Sequence, residues 1–273
     1  MWQNRFVSNF IFITATIALL GSCGSSKPLG GNGSGSGSGS GSDYGQGVVL
    51  IGGAGAGGAD SEVTSRTIAY APTAGNAIIA SAYTCADAAC QNIPSTTLKI
   101  SDNVNDPEFC FIASPHSPFS LIETSAGTQK LQEYIWVCPN IPPKVTSFTA
   151  TCSTPKACSY IAITVTEWKG LATSNVFDAD GGGASSILET SATLSTWSPT
   201  EYSDDLVYTF LDNTGDETMT PVAPHRTVLQ FYPGNINTAT IAMKSGTQTA
   251  TTTWQGKDDW YGAIVAIKTA SSF

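Results

Sequence analysis

Basic residues are scarce in this chain: of 273 residues, 12 are Lys or Arg against 21 Asp or Glu, a formal charge of −9. Nucleic-acid binding needs a Lys/Arg footprint for the phosphates, so that partner class is excluded. Histidine is scarcer still, with only His116 and His225. Neither the cysteine spacing nor a nearby His supports a zinc site, and Ser/His/Asp hydrolysis would have to run through one of these two histidines, neither of which accompanies a nucleophile-elbow motif. His116 lies between Pro115 and Pro118, and His225 follows Pro224; both read as loop histidines. No long segment repeats its apolar residues every 3.6 positions, which excludes a helical bundle. No apolar run reaches the about 20 residues that cross a bilayer as a helix.

What is present begins at the N-terminus. Met1 to Arg5 carry one positive charge and no acid, and Phe6 to Leu20 are apolar apart from Ser8, Asn9 and Thr14. These are the n-region and h-region of a secretory signal over residues 1–22. At its end, Leu20-Gly21-Ser22-Cys23 resembles the lipobox of bacterial lipoproteins. The resemblance implies cleavage before Cys23, a diacylglyceryl group on its sulfur, and a mature chain held by palmitate-class acyl chains. Each buried methylene contributes about 0.8 kcal/mol, so two or more chains anchor stably. Gly24, where an Asp would signal inner-membrane retention, permits sorting to the outer membrane or cell surface. The partner implied is therefore a membrane, reached through the lipid, because an acidic surface is repelled by anionic headgroups.

From Gly30 to Ser42 the chain alternates Gly and Ser, a composition that cannot bury enough apolar surface to offset the entropy of ordering. Residues 23–42 read as a flexible tether with a root-mean-square reach of about 25 Å. Residues 43–273 remain as one folded domain.

Apart from Cys23, the cysteines are Cys85, Cys90, Cys110, Cys138, Cys152 and Cys158. An even set in an exported chain reads as three disulfides, and proximity favours Cys85–Cys90, Cys110–Cys138 and Cys152–Cys158. Short runs rich in Val, Ile, Thr and aromatics recur between Gly, Pro, Asn and Asp, among them Ala77 to Tyr83, Tyr160 to Trp168, Leu206 to Leu211 and Tyr261 to Lys268. The pattern predicts an all-β, antiparallel two-sheet β-sandwich of jelly-roll-like design. The pieces Thr73-Ala74-Gly75-Asn76-Ala77-Ile78, Ile163 to Leu171, Phe177-Asp178 and Trp260 to Lys268 resemble, in their order, a β-sandwich module common in bacterial surface and secreted proteins. That resemblance implies a fold and no catalytic residue.

Four constellations bear on chemistry. Gly53, Gly55 and Gly58 have dinucleotide-fingerprint spacing, but Ala59 to Arg66 lacks the amphipathic helix whose N-terminus would meet a pyrophosphate. Asp178, Asp180 and Glu189 occupy positions one, three and twelve of an oxygen-ligand calcium loop, with Gly182 at position five supplying no side-chain oxygen. Glu167, Glu189, Glu201 and Asp204 are the acids conceivable for paired-carboxylate glycoside hydrolysis. Trp197, Tyr202 and Trp254 are the aromatics offered for sugar stacking, with Trp197 in the turn-like Ser195-Thr196-Trp197-Ser198-Pro199. The reading is a non-enzymatic, lipid-anchored binding or adhesion module of the bacterial envelope with carbohydrate as first ligand class and no cofactor beyond calcium at Asp178. The alternatives are a secreted polysaccharide hydrolase and a purely structural envelope protein.

Overall fold

The computed structural model describes residues 35–37, 41–57, 64–85, 97–104, 110–112, 120–124, 127–154, 158, 160–213, 215, 217–232 and 234–272. Cys23 and the signal segment, Gly58, Cys90 and His116 lie outside them. Among the described residues every regular element is a strand.

The chain opens with β1 (Gly35–Gly37), β2 (Ser42–Gly45), β3 (Val48–Ala56), β4 (Ser65–Ala69), β5 (Ala77–Cys85) and β6 (Leu98–Asp102). It continues with β7 (Phe111–Ile112), β8 (Ser120–Thr124), β9 (Gly127–Cys138), β10 (Ser147–Cys152) and β11 (Tyr160–Lys169). An eight-stranded antiparallel sheet runs β1-β3-β11-β5-β9-β7, with β2 beside β3 and β8 beside β9. A small sheet, β4-β10-β6, covers one of its faces. Between neighbours such as β3, β11 and β5 the chain crosses to the small sheet and back, which is jelly-roll-like connectivity. All nine residues of β5 are buried, as befits a central strand covered on both sides. Ile78, Ala80 and Ala82 face the small sheet with Phe148 and Ile100, while Ile79 and Tyr83 face the other way.

That other face meets a six-stranded sheet built from β12 (Phe177–Ser195), β13 (Leu206–Asn213), β14 (Thr220–Pro221), β15 (Arg226–Tyr232), β16 (Asn235–Ile241) and β17 (Thr249–Ile267). Its order is β12-β17-β13-β16-β15, with β14 on β17. The two larger sheets form the sandwich that the sequence predicts, and the small sheet adds a third layer. Trp168, Leu206, Tyr208, Phe210, Val265 and Ile267 fill the space between them. Burying each such side chain contributes about 1.5–3 kcal/mol.

Two of the sequence pieces meet in space. Gly75 turns the chain at a φ of 88°, which glycine adopts without strain. Beside it the buried Glu167 of β11 accepts hydrogen bonds from Tyr70 Oη (2.9 Å), the Thr73 amide (3.0 Å) and Asn76 Nδ2 (2.5 Å). Both oxygens of Glu167 are thereby engaged as structural acceptors. Trp168 follows it, edge-on to Tyr44 and Tyr208 with Nε1 donating to Thr166 Oγ1 at 2.8 Å.

Disulfides join Cys110 to Cys138 across 28 positions and Cys152 to Cys158 across six. Cys85 is also disulfide-bonded. Glycine shapes two contacts of β3. Gly53 and Gly55 lie within β3, where their missing side chains admit close neighbours: a Cβ on Gly55 would lie 2.2 Å from the Phe231 ring, and one on Gly53 2.8 Å from the Val165 carbonyl oxygen. Within the stretch read as a tether, Gly35–Gly37 pairs antiparallel with Gly53–Gly55, glycine against glycine.

The β12–β17 ribbon is 19 residues long on each strand, and register shifts near Phe177, Ser185 and Glu189 bend it. Its far half curls over the outer face of the six-stranded sheet, and Leu194 and Trp254 close a third core with Val207, Leu211, Ile236 and Ile264. The curl ends where Gly181, near the start of β12, bridges Thr196, just past its end.

Candidate functional site

The closure at Gly181 creates the candidate site, since it places the connection between β12 and β13 against the start of β12. A Cβ at Gly181 would lie 2.1 Å from the Ser195 carbonyl oxygen, so the approach requires glycine. The Trp197 amide donates to the Asp180 carbonyl at 2.8 Å. The Asp178 carboxyl takes the Glu201 amide at 2.6 Å and the Tyr202 amide at 3.3 Å, both on Oδ2. Thr200 is tied to Gly246 through both backbone groups, and Gln248 Nε2 donates to Thr200 Oγ1 at 3.0 Å. A loop that sequence alone leaves free is thus pinned at both ends and in the middle. Trp197 emerges from this frame with 54% of its surface exposed. The β16–β17 connection, hydrogen-bonded to the same loop, presents Met243 at 86% exposure.

The β12–β13 connection also carries an acidic pair, Asp204 and Asp205. Asp204 accepts from Thr269 Oγ1, Ser271 Oγ and Ser272 Oγ. Asp205 is fully buried, and its Oδ2 finds no donor; the neighbour it meets is the carboxyl of Asp178. A proton on Asp205 turns that encounter into a carboxyl-to-carboxyl hydrogen bond. Burial, that hydrogen bond and the charges of Asp178 and Asp204 push the Asp205 carboxyl up to about 8, with Lys268 pulling the other way. Lys268, at the end of β17, sets its ammonium 5.3 Å from the centre of the half-buried Tyr202 ring, a cation–π contact.

The structure therefore brings together Trp197, Tyr202, Asp178 and Asp180 out of two separate sequence groups, aromatic and acidic. It leaves Trp254 apart, 6% exposed in the third core, because β17 alternates sides there and Trp254 takes the inward position. Glu189 sits farther along β12 and accepts from Trp260 Nε1 at 2.5 Å. Asp178, Asp180 and Glu189 lie along a strand, not around a loop, and among the described residues no group of three or more His, Cys, Asp or Glu is placed to hold a metal ion. His225 is buried, with Nδ1 3.2 Å from Thr238 Oγ1, and burial pushes its imidazole down to about 4.

Asp205 and Lys268 were not singled out as site residues by the sequence. Only the antiparallel pairing of β13 with β17, which sets Leu206 opposite Ile267, makes the residue before Leu206 and the residue after Ile267 neighbours. No family model, no curated protein and no solved structure matches the chain.

Proposed function

We propose that the protein is a lipid-anchored, non-enzymatic binding or adhesion module of the bacterial envelope, carried on acylated Cys23 and displayed at the outer membrane or cell surface, with carbohydrate as its ligand class. The observation that carries the reading is the pinned loop that exposes Trp197 and, farther along, holds Tyr202 between the Asp178 carboxyl on its amide and the Lys268 ammonium over its ring. A sugar ring offers an apolar face to an indole and hydroxyls to charged hydrogen-bonding groups, and rigid aromatics supply contact area at low entropic cost. The two disulfides of known pairing suit an oxidising, extracytoplasmic compartment.

The hydrolase alternative draws less support from this loop. Glycosidases hold their two carboxyls about 5–10 Å apart so that a sugar, with or without water, fits between them, whereas the Asp178 and Asp205 carboxyls meet directly. The test is a glycan array probed with the detergent-solubilised mature chain and with Trp197→Ala. Binding to a glycan class that the variant loses by at least about tenfold, about 1.4 kcal/mol, supports the reading. Silence of the folded wild-type chain across the array, or equal binding by the variant, sinks it.

A further inference from the structure

A second group of polar side chains lies buried between the two larger sheets, far from any use in the aromatic loop. On β9, Ile135 and Val137 point into the intersheet core, so the two-residue alternation of a strand turns Glu133 the same way. On β13, Tyr208 and Phe210 belong to that core, which directs Asp212 into it; on β16, Ala239 does the same for Asn237 and Asn235. Glu133 is 1% exposed and neither carboxyl oxygen has a donor. Asn235 is 1% exposed, its Nδ2 donates to Asp212 Oδ2 at 3.1 Å, and its own Oδ1 has no partner. Asp212 stands close enough for its charge to act on Glu133. The register neighbours of these acids are Tyr83 on β5, Asn235 on β16 and Tyr261 on β17, none of them cationic. Two acids facing each other in a low-dielectric interior, with both oxygens of the buried Glu133 lacking a donor, is an expensive arrangement.

The donor set consists of oxygen alone: two from Glu133, those of Asp212, and the Asn235 carbonyl oxygen. Oxygen-only sets of carboxylates and amide carbonyls suit hard cations, with calcium accepting six to eight such ligands in flexible geometry, while zinc draws nitrogen and sulfur. We propose that Glu133, Asp212 and Asn235 form an intersheet site for a hard divalent cation of the calcium class, one that clamps the eight-stranded sheet to the six-stranded sheet. This site is separate from the acids of β12 and independent of any role for Trp197.

Terbium, a calcium surrogate excited through nearby aromatics, tests it, since Tyr83 and Tyr261 flank the acids with ring centres 5.9 Å apart. Titrated into the full mature chain in detergent, terbium gives a saturable sensitised signal that calcium displaces, and calcium raises the thermal midpoint. Glu133→Gln weakens terbium binding at least about tenfold, while Glu189→Gln leaves it unchanged. Should Glu133→Gln fail to fold by circular dichroism, Asn235→Ala carries the same expectation. No sensitised signal from the wild type, as a site filled by water alone would give, overturns the proposal. So does a signal that survives both Glu133→Gln and Asn235→Ala, or one lost in Glu189→Gln but kept in Glu133→Gln.

Discussion

Asp205 owes its odd position to three things that a carboxyl avoids when charged: a fully buried site, the Asp178 carboxyl that it meets, and Asp204 in the preceding residue. Its ordinary value is 3.8 and its value in the fold about 8. Between those limits the folded chain keeps a proton that the unfolded chain releases, so this residue's contribution to stability is complete at low pH and is lost as pH rises toward about 8. His225 acts with the opposite sign: held neutral down to about 4 from an ordinary 6.5, it contributes fully above 6.5 and loses that contribution as pH falls toward 4. The two slopes oppose each other in the overlap, and a variant separates them. Asp205→Asn keeps a hydrogen-bond donor toward Asp178 without titrating, so the wild-type thermal midpoint, relative to the variant's, falls steadily from pH 4 to 8 and levels off above. Parallel midpoint curves for the two proteins would show that Asp205 does not hold this proton. Trp197, by contrast, is 54% exposed, so its removal costs less stability than that of a fully buried aromatic, and circular dichroism of Trp197→Ala separates its role in binding from folding.

At the scale of elements, the β12–β17 ribbon decides where the loop sits. Its bend arises from register shifts, and its closure from one glycine. Gly181→Ala sets a methyl group against the Ser195 carbonyl, a backbone atom that cannot swing aside as a flexible side chain would. The expected cost is about 1–3 kcal/mol, with the curl loosened at the Thr196 bridge. Chemical denaturation measures the cost, and amide exchange locates it: faster exchange at Thr196 and Trp197, whose amides bond to Gln248 and Asp180, is the specific sign. Unchanged protection there would mean that the ribbon closes without this contact. Glu167 shows the complementary case, an acid in a strand whose two oxygens accept from Tyr70, Thr73 and Asn76; it joins the Ala74-Gly75-Asn76 turn to β11.

For the whole molecule, the eight-stranded sheet is the shared layer. The small sheet buries one of its faces and the six-stranded sheet the other, so neither covering layer has a second partner for its apolar side. Loss of the middle sheet exposes both interfaces at once. Urea unfolding is accordingly expected as a single transition, with tryptophan fluorescence and far-ultraviolet dichroism coincident, since Trp168 reports one interface and Trp136 the other. Two resolved transitions would show that the six-stranded sheet folds by itself.

The strand character of this chain was legible because β-branched and aromatic runs broken by Gly, Pro and Asn specify pleated, half-buried segments locally. Two disulfide pairings were legible too, since cysteines that bracket a short loop or lie in adjacent strand patterns have few other partners in reach. The exposure of Trp197 follows from its turn-forming neighbours. Sequence alone fixed none of what depends on residues far apart in the chain meeting across sheets. The third layer, the curl that buries Trp254 and draws Asp178 to Tyr202, and the encounters of Asp205 with Asp178 and of Glu133 with Asp212 are of this kind. Local propensity acts over a few residues and states which way each side chain faces; which partner it then faces is set by strand order and register, and those exist only in the assembled fold.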